Sequence, residues 1–258
     1  MNAGIAGLAR LARGRDMAMF DVTSAPRRSV GAVTFDAASL GLTTAVAGFV
    51  VARLGQSLHR VDALAVALAV PAGLFLADLV SAVSHWFGDT FFDAKTPLLG
   101  AVIGPFRLHH DDPEAFRRHD FFERNRNNCL VALPLLGLLG LALRPPLAAC
   151  RLGCPFLAAM LAVAALALAS ATQIHAWAHD DGAPRPVRWL QRCGILISRQ
   201  RHARHHCAAH DRSYGIVNGW ANVALDRTRF FRGAETFAVR LGLYPSSAEK
   251  ARRGSQAQ

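Results

Sequence analysis

Residues 63–90 read ALAVALAVPAGLFLADLVSAVSHWFGDT. Ala63–Ala77 carries no charge, Asp78 interrupts it, and the run stays apolar to Val83 before His85 and Asp89 follow. A membrane span needs ~20 predominantly apolar residues, and polar-tolerant ends bring this stretch to that length. Three more stretches have the same character: Ala37–Ala52, closed by Arg53; Cys129–Leu143, closed by Arg144; and Phe156–Ala171, running through Thr172 into Gln173. The alternative is a soluble protein with very apolar helices. Composition favours the membrane. Hydrophobic residues make up 52% and charged residues 18%, below the roughly 25% of soluble domains. Disorder, collagen and a disulfide scaffold are excluded by the apolar content, the glycine pattern and five cysteines without a C-x-x-C pair. The net charge of +11 would suit a nucleic-acid binder, but such a protein is rarely this apolar, so no nucleic-acid partner is expected. The expected fold is all-α: a polytopic membrane protein with four transmembrane helices, at about 37–54, 62–85, 128–144 and 155–175, beneath a histidine-rich helical cap.

The spans pair through two short links, Arg53–Asp62 and Arg144–Pro155, which would share one side of the membrane. The links hold Arg53, Arg60, Arg144 and Arg151, whereas 25 of the 29 basic residues fall on the other side. By the positive-inside rule that side is cytoplasmic and holds both termini. Residues 1–36, where arginines break every apolar run, read as a mobile or membrane-surface tail, 37–240 as one domain, and 241–258 as a C-terminal tail. Cys150 and Cys154 could pair only in an oxidising compartment.

Ten of the 11 histidines lie on the expected cytoplasmic side, and only His59 lies on a short link. His175 and His179 are four apart, so a helix stacks them on one face. His205 and His206 follow His202 by three and four, so all three are expected on one face. His109 and His110 precede Pro113, a helix breaker or starter. Imidazole suits iron, copper, zinc and nickel. Eight imidazoles exceed what one tetrahedral zinc can use, so two metals are implied. A zincin would carry H-E-x-x-H, but no glutamate lies between His175 and His179, and no methionine lies near the clusters to suggest copper handling. An all-histidine, two-metal site in a membrane protein points to iron activating O2. The opposing view of these histidines is basic decoration near anionic lipid.

Four motifs carry a family resemblance. D-L-V-S-A-V-S-H-W-F-G-D-T (78–90), F-R-L-H-H-D-D-P-E-A-F-R-R-H-D-F-F-E-R-N (106–125) and Q-I-H-A-W-A-H (173–179) resemble motifs of plasmanylethanolamine desaturases. G-I-L-I-S-R-Q-R-H-A-R-H-H (194–206), with Y-G-I-V-N-G-W (214–220), looks more like the related plant plastid desaturase, which places a trans double bond in the palmitoyl chain of phosphatidylglycerol. The resemblance spans roughly residues 60–240 and implies a lipid desaturase with two iron ions and O2 as co-substrate. By the motif match, His85, His109, His110, His175, His179, His202, His205 and His206 are the expected iron ligands. Asp89 matches in both branches and is expected to orient a ligand imidazole rather than bind metal itself. His119 and Asp120 match only the plasmanylethanolamine branch; with Asp89 they are the candidate catalytic residues. Arg201 departs from that branch, where a further histidine is usual. Asp78 sits at membrane depth, where an acid is functional or paired. Trp86, Trp177 and Trp220 also match and read as interfacial anchors.

Aliphatic C–H bonds are beyond side-chain acid–base chemistry, so a cofactor must do the hard step. The resemblance implies formation of a plasmalogen vinyl ether from plasmanylethanolamine, with an electron donor such as ferredoxin or cytochrome b5. Arg199, Arg201, Arg204 and Arg212 could dock an acidic donor or a lipid phosphate. Residues 106–125 favour the ether lipid, and 194–220 favour an acyl chain of phosphatidylglycerol. A di-iron lipid hydroxylase would share the histidine motifs. A membrane metal transporter or sensor would place acids and histidines inside several spans, whereas only Asp78 lies deep.

Overall fold

The computed structural model describes residues 28–57, 63–97, 99–100, 103–104, 107, 110, 112, 119–143, 155–207 and 210–246. His59, His109, Cys150, Cys154, residues 58–62 and 144–154 of the two short links and most of the two tails lie outside these residues. Among the described residues every regular element is a helix. In chain order these are α1 (Val30–Ser57), α2 (Ala63–Phe91), α3 (Phe121–Ala142), α4 (Pro155–Ala169), α5 (Ala171–Ala178), α6 (Arg185–Arg192), α7 (Arg199–His202), α8 (Trp220–Arg227) and α9 (Phe230–Arg240).

Two helices, α1 and α2, are long and apolar enough to cross a membrane. The pair α4 and α5 would make a third span, bent by 54° at its break. The start of α3 is F-F-E-R-N-R-N-N, which puts Glu123, Arg124 and Arg126 in its first turns. The bundle packs α1 on α3 and α2 on α4, with α3 also touching α4. Val50, Leu139, Leu143, Ala158 and Ala162 form one layer of its core, and Ala47, Ala132, Leu136 and Ala165 the next. Small residues let the backbones approach. At Gly73 a Cβ would lie 2.6 Å from the Met160 carbonyl oxygen and 2.7 Å from the Val163 Cβ, so any larger residue there pushes α2 off α4. Phe49, Val51, Leu68, Val131 and Leu138 are exposed, as side chains facing lipid tails must be.

Helix α1 begins at Val30, well before the apolar stretch that opens at Ala37. The extension is held by charge. Asp36 is fully buried and lies between Arg28 and Arg126 of α3, the latter at 2.9 Å. Arg28 also reaches Asp120 at 2.6 Å. This network stitches the start of α1 to the start of α3.

Two features aim the helix ends at the site. At 1.5 Å per residue α2 runs roughly 43 Å, longer than the hydrocarbon core of about 30 Å, so it has several turns more than a span requires. Its last turns carry His85 and Asp89. Arg107 caps the end, donating to the carbonyls of Asp89 and Phe92. The break between α4 and α5 falls at Ser170, and Asn128 of α3 donates to the Leu168 carbonyl at 3.0 Å. A side-chain amide inserted into the ladder is an identifiable cause of a bend, and it satisfies a carbonyl near the break. The bend redirects α5, which carries His175, with His179 at its C-cap.

Candidate metal centre

Imidazoles from four parts of the chain converge where α2 and α5 end. Among the described residues they form two groups with Asp89: His175, His179, His202 and His206 in one, and His85, Asp89, His110 and His205 in the other. Within each group the ligand atoms lie within 4.8 Å of one another. The groups abut, with ring centroids 6.0 Å apart for His85–His175 and 5.6 Å for His205–His206.

In the all-histidine group the Nε2 atoms of His175 and His202 are 2.7 Å apart, those of His179 and His202 3.0 Å, those of His202 and His206 2.9 Å, and those of His175 and His179 3.3 Å. A metal held about 2.1 Å from each imidazole nitrogen needs neighbouring ligand nitrogens roughly 3.0–3.4 Å apart, and these four separations lie within a few tenths of an ångström of that range. A neutral imidazole has one N–H, so crowded Nε2 atoms cannot all be satisfied by hydrogen bonds among themselves.

In the second group Asp89 Oδ2 lies 3.3, 3.5 and 3.6 Å from the Nε2 atoms of His85, His110 and His205. His205 Nε2 is 3.0 Å from His110 Nε2. Asp89 is 1% exposed, in the ring of donor atoms rather than behind it. Three imidazoles and one carboxylate also fit a single ion, and the carboxylate offsets part of its charge.

The protonation of this cluster favours metal. Burial, then His85, lowers His205 below the ordinary imidazole value. Burial, then the imidazoles of His205, His179, His210 and His85, hold His206 down to about 3. Ligating histidine must be neutral, so these rings are ready to bind near neutral pH. Tautomers are set as well. Nδ1–H of His85 donates to the Tyr214 carbonyl and Nδ1–H of His205 to the Arg212 carbonyl, both at 2.9 Å. Each bond leaves the Nε2 lone pair facing the group.

The spacing of R-H-A-R-H-H suggested one helix face for its three histidines, and the structure corrects this. Helix α7 ends at His202 and the chain turns over residues 203–205. His202 and His206 therefore enter one group and His205 the other. Trp86 is likewise not an interfacial anchor; it is 7% exposed, packed on Phe91 and Phe231. Arg201, one of the four suggested docking arginines, is exposed and also donates to the Asn218 carbonyl at 3.0 Å. His119 and Asp120 lie outside both groups. His119 Nδ1 is 3.0 Å from a Glu123 oxygen, and Asp120 is the N-cap of α3, accepting from the Glu123 N–H at 2.9 Å. His210 stacks on His110 with centroids 4.8 Å apart.

Sequence reading missed the anchor beneath the site. Asp78 is fully buried. Its Oδ1 accepts from the backbone N–H groups of Val217, Asn218 and Gly219, each at 3.0 Å, and its Oδ2 from Ala221 at 2.9 Å. Gly219 takes a left-handed φ of 75°, which glycine adopts without strain. The loop before α8 is thereby fastened to α2 one turn-pair below His85. Its backbone donors leave no mark in side-chain patterns.

A lipid desaturase domain model matches residues 74–247. The chain is 39% identical to plasmanylethanolamine desaturase of Myxococcus xanthus over 65% of this chain and 58% of that protein. It is 36% identical to plasmanylethanolamine desaturase 1 of Mus musculus over 66% of this chain and 64% of the other. It is 35% identical to the chloroplastic fatty acid desaturase 4 of Arabidopsis thaliana over 70% and 54%. The chain thus spans less than two thirds of the length of each of these relatives. No solved structure matches it.

Proposed function

From the premise that the chain belongs to the lipid desaturase family, we propose that it is an O2-dependent di-iron desaturase of membrane lipids, acting on plasmanylethanolamine to form the plasmalogen vinyl ether. The observation that carries this reading is the pair of abutting four-donor groups at the membrane-side helix ends. His175, His179, His202 and His206 would hold one iron, and His85, Asp89, His110 and His205 the other, with His109 beside His110 as a further candidate ligand. When bound, the iron pair supplies the O2-derived oxidising power that aliphatic C–H cleavage requires. The reaction removes two hydrogens from adjacent carbons. Reducing O2 to two waters takes four electrons, of which the chain being desaturated gives two and an external donor the others.

The protein's own part is positional. The carbonyls of Tyr214 and Arg212 hold two ligand rings in one tautomer. Tyr214 packs edge-on against His85, and Phe231 packs against both Tyr214 and Trp86, which fixes the Tyr214 ring on that flank. An apolar cavity of about 650 Å³, lined by Leu40, Ala47, Leu74, Val163 and Ile174, supports approach of an alkyl chain from the membrane side. A cleft lined by Arg188, Arg192, Arg199, Arg201 and Arg204 supports docking of an acidic donor such as ferredoxin or cytochrome b5. The test is expression in a host lacking plasmalogens, fed with alkyl ether lipid. Acid-labile vinyl ethers are the expected product by mass spectrometry. Hydroxylated ether lipid would point to a hydroxylase, and a new trans double bond in phosphatidylglycerol would support the acyl-lipid reading suggested by residues 194–220.

The proposal includes four spans, with α3 as the span beginning in polar residues and with the site and both termini in the cytoplasm. Reporter fusions at residues 57, 120, 150 and 258 are expected to report outside, inside, outside and inside. A periplasmic signal at position 120 would separate the histidine clusters from the positive side.

His119 and Asp120 are proposed to meet the lipid rather than the metals. His119→Ala is expected to lower vinyl-ether formation while iron content stays intact, because no atom of the two groups is removed. Loss of its half-exposed pairing with Glu123 should cost stability only about 0–1 kcal/mol. Full vinyl-ether formation in that variant would end the role.

A further inference from the structure

We propose that Asp226, in the last turn of α8, is a positioning residue for the metal group that contains Asp89. The inference rests on the two-metal reading above and concerns a residue that touches neither a metal ligand nor the cavity for the alkyl chain.

Three consecutive residues carry it. The carbonyl of Arg212 accepts from Nδ1 of His205 and the carbonyl of Tyr214 from Nδ1 of His85, each at 2.9 Å. Between them stands Ser213, buried and with a φ of 57°. A residue with a Cβ is disfavoured in that left-handed region, so something must hold it there. Asp226 supplies the hold with both carboxylate oxygens: Oδ1 accepts the Ser213 backbone N–H at 3.0 Å and Oδ2 accepts its hydroxyl at 2.8 Å. The kink at Ser213 sets the angle between the two flanking carbonyls. Those carbonyls meet imidazoles from distant parts of the chain, one on α2 and one beyond α7. A single carboxylate therefore governs the ring orientation and tautomer of two ligands of one group, which is the work of outer-shell partners at metal sites. Helix α8 is itself tied to α2 through Asp78, which accepts from Ala221, so the grip is mounted on a fixed element.

The experiment uses the full chain purified in detergent and loaded with iron(II), with iron per chain measured by mass spectrometry and the metal environment by Mössbauer spectroscopy. Wild-type chain, Asp226→Ala, and Asp226→Ala combined with Ser213→Gly are compared. Asp226→Ala is expected to hold about half the wild-type iron and to lose the signal of one iron environment, in line with the 10–100-fold weakening that follows loss of a supporting partner. Glycine takes φ near 57° without the grip, so the added Ser213→Gly is expected to restore much of the lost iron. Unchanged iron content and spectrum in Asp226→Ala would overturn the inference. So would a loss that Ser213→Gly does not restore, because that would make Asp226 a general support of the fold. A wild-type chain that binds a single iron would instead overturn the two-metal reading, and this inference with it.

Discussion

His205→Ala is expected to stop lipid desaturation, with turnover falling by more than the 10–100-fold that follows loss of a mere supporting partner. His205 is completely buried, with its Nδ1–H on the Arg212 carbonyl and its Nε2 3.0 Å from His110 and 3.6 Å from Asp89. The other donors of the two groups are already committed. His85, His110 and Asp89 each already present an atom to the same group, and His202 and His206 face the other. Iron should fall with activity, and what remains should be the portion held by the four histidines around His175. Product analysis and iron content on the same membranes check both. Wild-type turnover in the alanine variant would remove His205 from the site.

Asp78→Ala is expected to prevent accumulation of folded chain. Four buried backbone N–H groups at the base of the site would lose their acceptor. At about 1–3 kcal/mol for each orphaned donor, the loss is about 4 kcal/mol or more, a large share of the 5–15 kcal/mol that holds a typical protein folded. Asp78→Asn keeps one acceptor oxygen but turns an amide N–H₂ toward a donor. It should accumulate at an intermediate level and melt below wild type. Size-exclusion profiles and melting curves of the detergent-extracted chains measure this. A wild-type melting temperature for Asp78→Ala would refute the anchoring role.

The two residues mark how far sequence reading reached. Both were visible as unusual: Asp78 as an acid within an apolar run, His205 as part of a histidine motif. The long uncharged stretch located the helix that carries Asp78, because such a stretch is a local property, whereas the spacing that put His205 on a helix face did not foresee the end of α7 at His202. Their partners were not visible. Asp78 meets the backbone of residues 217–221, and His205 meets a carbonyl of Arg212. Backbone donors and acceptors are the same at nearly every position, so no composition or spacing reports which of them a side chain will meet.

Long uncharged apolar stretches and composition pointed by themselves to a helical membrane protein, and histidine spacing with the motif resemblance picked out the side chains that converge in the two candidate metal groups. Tertiary structure alone decided how those side chains are shared out. It ended α7 at His202 so that R-H-A-R-H-H divides between two groups, and it placed Asp89 among the donors. It bent the chain at Ser170 and buried Asp36 of the expected tail between two arginines. The reason is common to all of these. Helix formation follows from contacts within one or two turns, which sequence spacing records. A helix end, a bend or a metal-ready cluster follows from groups brought together across the chain, and their meeting is settled by packing.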